Sequence, residues 1–149
     1  NLSSVFLMTK SVAKHMIKRK KGSIVNIASD VGIISPDHRI YEPNKKFNYK
    51  GVSFNTPISY AVAKSGIISM TRYLATYWAK KGIRVNCISP AGVYKKHNKK
   101  FVEQLAQRIP LGRMAKSYEL NGAIIYLCSN ASSFVTGHNL VVDGGRTIW

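Results

Sequence analysis

The chain has 149 residues, 45% of them hydrophobic, and a formal net charge of +17. That length suits one domain with an adequate core, and no apolar run approaches the roughly 20 residues that a membrane crossing needs. Cys87, Cys128, His15, His38, His97 and His138 lack metal-ligand spacing, so no metal site is expected, and the cysteines are expected as two buried, reduced thiols of a cytoplasmic protein.

Residues 2–18 carry apolar side chains at Val5, Met8, Val12, Ala13, Met16 and Ile17, a helical period. Basic residues from Lys18 and then Gly22 close that helix. Residues 24–28 are a short β-branched run that predicts a buried parallel strand. Between 36 and 58 the chain changes character, with Pro36, Pro43, Pro57, Asn44, Asn48, Gly51 and Asn55 breaking regular structure. A loop of about 20 residues is uncommon in a compact domain and is often functional.

Residues 59–80 predict a long helix. Its apolar side chains, among them Val62, Ile67, Ile68, Met70, Leu74, Tyr77 and Trp78, surround most of the circumference. Such a helix is buried on more than one face, which predicts a subunit contact as well as an internal one. Residues 83–89 predict a second strand ended by Pro90, residues 99–108 and 117–127 further helices, and residues 140–142 a third strand before Asp143-Gly144-Gly145. Alternating helices and strands imply an α/β doubly wound parallel sheet.

The chemistry concentrates at Tyr60-Ala61-Val62-Ala63-Lys64, where a tyrosine and a lysine four apart share one helix face. A phenol with its usual pKa of about 10 is a poor proton carrier near neutral pH. A cation held close favours phenolate, and the hydroxyl of Ser29 upstream can hydrogen-bond a carbonyl oxygen. Together these outline a carbonyl/alcohol redox site, although Tyr-x-x-x-Lys by itself also describes a surface lysine beside a packed tyrosine.

The surrounding residues add a family context. The chain resembles the short-chain dehydrogenase/reductase family along its whole length, through Asn1-Leu2, Gly22-Ser23-Ile24-Val25-Asn26-Ile27-Ala28-Ser29 and Tyr60-Ala61-Val62-Ala63-Lys64-Ser65-Gly66. The likeness continues through Ile83-Arg84-Val85-Asn86-Cys87-Ile88-Ser89-Pro90, Pro110-Leu111-Gly112-Arg113, Thr136-Gly137 and Val142-Asp143-Gly144-Gly145. It implies a Rossmann-like fold, NAD or NADP as cofactor, and a small-molecule substrate. It also implies a homo-oligomer, dimer or tetramer, built on the helices at 2–18 and 59–80.

By that resemblance Tyr60 is the general acid/base and is also counted among the cofactor-binding residues. Lys64 lowers the tyrosine pKa and binds the nicotinamide ribose, and Ser29 polarises the substrate carbonyl. Asn1 matches an asparagine that helps hold a water on the proton path. Pro90, Ala91 and the backbone amide of Val93 match the turn that touches the nicotinamide end. Ala91 stands where glycine is usual, which costs the turn freedom at positive φ unless Gly92 compensates. Lys95 replaces a common carboxamide-binding threonine and is a candidate for an anionic substrate, with a solvated loop lysine as the alternative.

No Gly-x-Gly-x-x-Gly turn occurs in the chain, and residue 1 is not methionine. Residues 1–149 are therefore expected to be the C-terminal portion of one domain, with its cofactor-binding half absent and an unpaired edge on the first strand. Ser29 and Tyr60 are 31 positions apart, far more than in typical members. The extra segment is similar to an insertion in bacterial members of surface-sugar and flagellin-modification pathways, as is Thr71-Arg72-Tyr73-Leu74-Ala75-Thr76-Tyr77. Arg39, Tyr41 and Glu42 are candidates to meet sugar hydroxyls or a phosphate, the alternative being a lid that contributes shape only.

Two other readings compete. Ser11-Val12-Ala13-Lys14 has the spacing of some acyl-transferring serine enzymes, but the partner motifs that they need are absent. Lysine clusters at Lys18-Arg19-Lys20-Lys21, Lys45-Lys46, Lys80-Lys81, Lys95-Lys96 and Lys99-Lys100 would also suit a non-catalytic relative that binds a partner or polyanion. Nucleic acid is not expected, because no aromatic-interleaved motif or zinc finger accompanies them.

Overall fold

The computed structural model describes residues 1–41 and 55–149. Helix α1 (Leu2–Arg19) leads into strand β1 (Gly22–Ile27), and helix α2 (Ile58–Trp78) leads into strand β2 (Ile83–Pro90). Helices α3 (Lys99–Ala106) and α4 (Asn121–Cys128) precede strand β3 (Asn139–Val142). The strands form one parallel sheet in the order β1-β2-β3, the α/β arrangement that the alternation predicts. Among the described residues β1 pairs with β2 alone, so it carries the expected open edge.

Register and pleat assign the faces. Ile24 lies opposite Val85 and Asn26 opposite Cys87, while Ser23 lies opposite Arg84. Side chains alternate across a strand, so Ile24, Val85 and Cys87 meet the layer formed by α1 and α2. There Ala13, Leu74, Ala75, Trp78, Ile83 and Val85 form one buried cluster, and Ala28, Ile67, Ile68 and Cys87 form another. A buried polar link crosses the same layer: Asn26 Nδ2 donates to Thr71 Oγ1 at 3.0 Å, and Thr9 Oγ1 donates to Asn26 Oδ1 at 3.4 Å. On the opposite face Ser23 Oγ and Arg84 both donate to the Leu127 carbonyl, fastening α4 to the sheet.

Two predicted helices end differently. The one ending at 108 stops at Ala106, because the chain tightens into bonds from Arg108 to Leu105 and from Ile109 to Ala106 ahead of Pro110, which disfavours helical geometry before it. The one predicted over 117–127 begins as a 3-10 turn, Ser117–Leu120, before α4. Glu119 holds this start, taking the Lys116 amide at 2.7 Å and both Arg113 guanidinium nitrogens at 2.7 Å.

Cys87 is fully buried, but Cys128 is exposed, against expectation, because the short helix α4 buries only Leu127. Burial pushes the Cys87 thiol above its usual pKa. The second apolar face of α2, with Ile58, Val62, Tyr73 and Tyr77, is exposed in this single chain, as are Phe6, Leu7 and Met8 of α1. Among the described residues no helix is long and apolar enough to cross a membrane, and no cluster of His, Cys, Asp and Glu could hold a metal.

The Glu119 cluster carries a pH dependence. The Arg113 side chain and then the Lys116 amide hold the Glu119 carboxyl down to about 2, from an ordinary 4.5. A depressed carboxylate contributes stability above its unfolded pKa and loses it as pH falls through its folded value. The thermal midpoint should therefore fall as pH drops from 4.5 toward 2, and Glu119→Gln should make that fall shallower. Melting followed by circular dichroism at stepped pH checks it.

Candidate active site

A cleft of about 600 Å³ opens where β1 and β2 end, and Ser29, Tyr60, Lys64, Pro90, Ala91 and Val93 all line it. The carboxyl ends of parallel strands are where open α/β sheets bind ligands. Residues from three separate parts of the chain thus meet in one wall.

Helix α2 sets Tyr60 and Lys64 one turn apart. Lys64 Nζ donates to the carbonyl oxygen of Ile27, the last residue of β1, at 2.8 Å. The same nitrogen lies 5.6 Å from the centre of the Tyr60 ring, so the cation and the phenol share one environment. Burial pushes the Lys64 ammonium below its ordinary pKa, since a less solvated cation releases its proton more easily. An ammonium has three N–H donors, and β1 takes one of them.

Ser29 follows β1 in extended conformation and caps a 3-10 turn, Asp30–Gly32. Its Oγ is buried, accepts the Val31 amide at 3.4 Å and donates to Asp30 Oδ1 at 2.8 Å. The turn lies hard against α2 at Gly32, where a Cβ would sit 2.8 Å from the Lys64 carbonyl carbon and 3.0 Å from the Ser65 nitrogen. Ser65 Oγ adds a bond to the Gly32 carbonyl at 3.0 Å. The serine turn and the lysine are thereby packed as one unit.

The turn after β2 differs from expectation in its reason. Ala91 donates its amide to the Val142 carbonyl at 3.2 Å, and neither Ala91 nor Gly92 has a positive φ. Alanine therefore costs this turn no conformational freedom. Gly92 is required by space instead, because a Cβ there would lie 2.5 Å from Leu105 Cδ2. A parallel bridge pairs Val93 with Ala115 through the Tyr94 amide and the Gly92 carbonyl, and no bond to the Val93 amide itself is formed among the described residues.

Lys95 also lines the cleft and is exposed at its mouth. Tyr41 lines the other side, stacked on Phe101 with ring centres 5.6 Å apart and its hydroxyl 2.5 Å from Thr56 Oγ1. Arg39 is not in the lining; it pairs with Asp37 at 2.8 Å, as does Arg108 at 2.6 Å. Those guanidinium groups hold the Asp37 carboxyl well below the usual carboxylate range. Glu42 lies outside the described residues. Asn1 is exposed at the start of α1, where its side chain makes no cap bond, and it is not in the cleft lining.

Sequence reasoning overlooked Gly32, Asp30 and Arg146. Asp30 and Arg146 also line the cleft and form a buried ion pair. A charged residue directly after Ser29 was the available signal, but its partner lies far along the chain.

Known proteins share this fold. The family model described as enoyl-(acyl carrier protein) reductase matches residues 47–147, and the one described as short chain dehydrogenase matches residues 1–45. The 3-oxoacyl-[acyl-carrier-protein] reductase FabG of Thermotoga maritima is 36% identical over 99% of this chain and 54% of its own length. A short chain dehydrogenase from Leptospira borgpetersenii, solved with bound NAD+, superposes with a TM-score of 0.88 at 40% identity, over 99% of this chain and 54% of that one. A gluconate 5-dehydrogenase from Burkholderia cenocepacia, solved with NADP and tartrate, gives a TM-score of 0.81 at 33% identity, over 99% and 53%. The chain thus spans about half the length of the relatives it matches.

The packing of Gly32 on α2 yields a direct test. Gly32→Ala should drive the serine turn away from Lys64 and destabilise the chain by about 1–3 kcal/mol, a typical cost of overpacking. Urea denaturation measures the loss, and a stability equal to that of the parent chain contradicts the packing.

Proposed function

Because the chain belongs to the short-chain dehydrogenase/reductase family, we propose that it carries the catalytic half of an NAD(P)-dependent oxidoreductase that interconverts a carbonyl and an alcohol. The observation that carries this reading is the joint lining of one cleft by Ser29, Tyr60 and Lys64 at the ends of β1 and β2.

The residues present fit the nicotinamide end of such a cofactor. The Val93 amide takes no part in the bridge to Ala115 and is assigned to the carboxamide. Lys64 retains donors beyond the one given to Ile27, and these are assigned to the ribose. Pro90 and Ala91 form the wall against the ring. The diphosphate is assigned to residues outside this chain, since the chain has no glycine-rich turn after a first strand. When bound, the cofactor supplies or accepts the hydride.

Tyr60 is assigned the proton. Its hydroxyl gives a proton to the substrate oxygen during reduction and takes one from the alcohol during oxidation. Lys64, at 5.6 Å from the ring centre, sets a cation beside the negative charge that donation leaves behind. Ser29 holds the substrate oxygen beside Tyr60, acting as one donor of an oxyanion site. Asn1 is assigned a role only in the proton path behind Lys64.

The substrate class proposed is a small polyhydroxylated or sugar-derived acid. Lys95 at the mouth is suited to an anionic group, and a structural neighbour is a gluconate dehydrogenase solved with tartrate. Tyr41, fixed on α3 through Phe101 and lining the cleft, is proposed to border that substrate. Surface-sugar modification is the pathway class proposed for this substrate. The exposed apolar faces of α1 and α2 are proposed as the homo-oligomer contact.

Tyr60→Phe in the complete polypeptide should lower carbonyl-dependent NAD(P)H oxidation by about 10²–10⁴-fold, the range for a lost general acid. Cofactor affinity should change little. Steady-state kinetics with gluconate-type keto acids, alongside fluorescence titration of NAD(P)H, check both expectations; undiminished turnover would refute the assignment.

A further inference from the structure

We infer that Asp30 and Arg146 are a positioning pair that sets the hydrogen-bond geometry of Ser29 and ties the turn after β3 to the catalytic cleft. This rests on the role proposed above for Ser29. Both side chains are almost wholly buried, at 3% and 8% exposure, and both stand in the cleft wall.

The Asp30 carboxylate divides its two oxygens between two tasks. Oδ1 accepts the Ser29 hydroxyl and the Val31 amide, each at 2.8 Å. Oδ2 accepts the Arg146 guanidinium. A buried carboxylate needs such a cation, since an unpaired charge there would be costly. Arg146 therefore permits a negative group next to the serine, and that group decides where the serine hydroxyl points.

Arg146 is itself aimed by a built turn. Asp143 accepts the Gly145 amide at 2.8 Å and the Thr147 amide at 2.7 Å. Gly144 and Gly145 adopt φ of 66° and 92°, the left-handed region that glycine tolerates. The chain reverses there, and Arg146 reaches from the end of β3 past β2 to the loop after β1. Among the described residues no second carboxylate pairs with Arg146.

A hydroxyl has one hydrogen and two lone pairs. While Asp30 holds the Ser29 hydrogen and the Val31 amide takes one lone pair, the serine oxygen has a single acceptor lone pair left, which suits a substrate alcohol or the Tyr60 hydroxyl. Donation to a carbonyl oxygen requires the same hydrogen to leave Asp30. Neither residue is assigned contact with the reacting atoms; both act through Ser29.

The test is a mutant cycle in the complete polypeptide. Asp30→Asn and Arg146→Met should each lower kcat at least tenfold with NAD(P)H affinity changed less than twofold, and Arg146→Lys should retain part of the rate. In a Ser29→Ala background, Asp30→Asn should have less than a twofold further effect. An equal fold-loss with and without Ser29, or no loss at all, would overturn the inference. If a single variant does not fold, the pair Asp30→Asn/Arg146→Met leaves no unpaired buried charge and should still depend on Ser29 in the same way. Full activity of Ser29→Ala alone would instead refute the role of Ser29, a result distinct from additivity with Asp30.

Discussion

Lys64 reaches the carbonyl of Ile27 at 2.8 Å, and that bond fixes how α2 is turned against the end of β1. The carbonyl is available because β1 is an edge strand among the described residues. With the lysine fixed, helix geometry sets Tyr60 one turn away, and the cleft acquires its phenol and cation together. Rotation of α2 by a fraction of a turn would carry both out of the cleft wall. The serine turn depends on the same helix, since Gly32 packs on the backbone at Lys64 and Ser65.

Buried polar groups repeat this logic across the sheet. Asn26 joins Thr9 of α1 to Thr71 of α2 through the core, so each helix is located by a directional contact as well as by apolar packing. Arg84 and Ser23 do the same for α4. Polar groups removed from water must find partners, which makes such contacts selective for one arrangement. The Asp30–Arg146 pair extends this from the fold into the site.

The parts of this arrangement that are local in the chain were legible in the sequence. Strand β2 reads as a strand because Ile83, Val85, Cys87 and Ile88 crowd a short stretch ended by Pro90, although Arg84, Asn86 and Ser89 interrupt it. Tyr60 and Lys64 read as a pair because four residues make one helical turn. The exposed Cys128 was misread, since Ile124, Ile125 and Leu127 look like a core although α4 buries only one of them. The role of Gly92 was likewise a matter of space beside Leu105, which no backbone rule reveals. Asp30 and Arg146 stand 116 positions apart, and only the topology of β1, β2 and β3 makes them neighbours.

In the proposed reaction one substrate oxygen is held between Ser29 and Tyr60 while Lys64 supports the phenol and the cofactor. A crystal structure of the complete polypeptide with NAD(P)H and a hydroxy-acid inhibitor tests it most directly. The Ser29 and Tyr60 hydroxyls should both lie within hydrogen-bond distance of one inhibitor oxygen, with Lys64 Nζ on the nicotinamide ribose. An inhibitor seated with its oxygen away from Tyr60, or a ribose out of reach of Lys64, would contradict it.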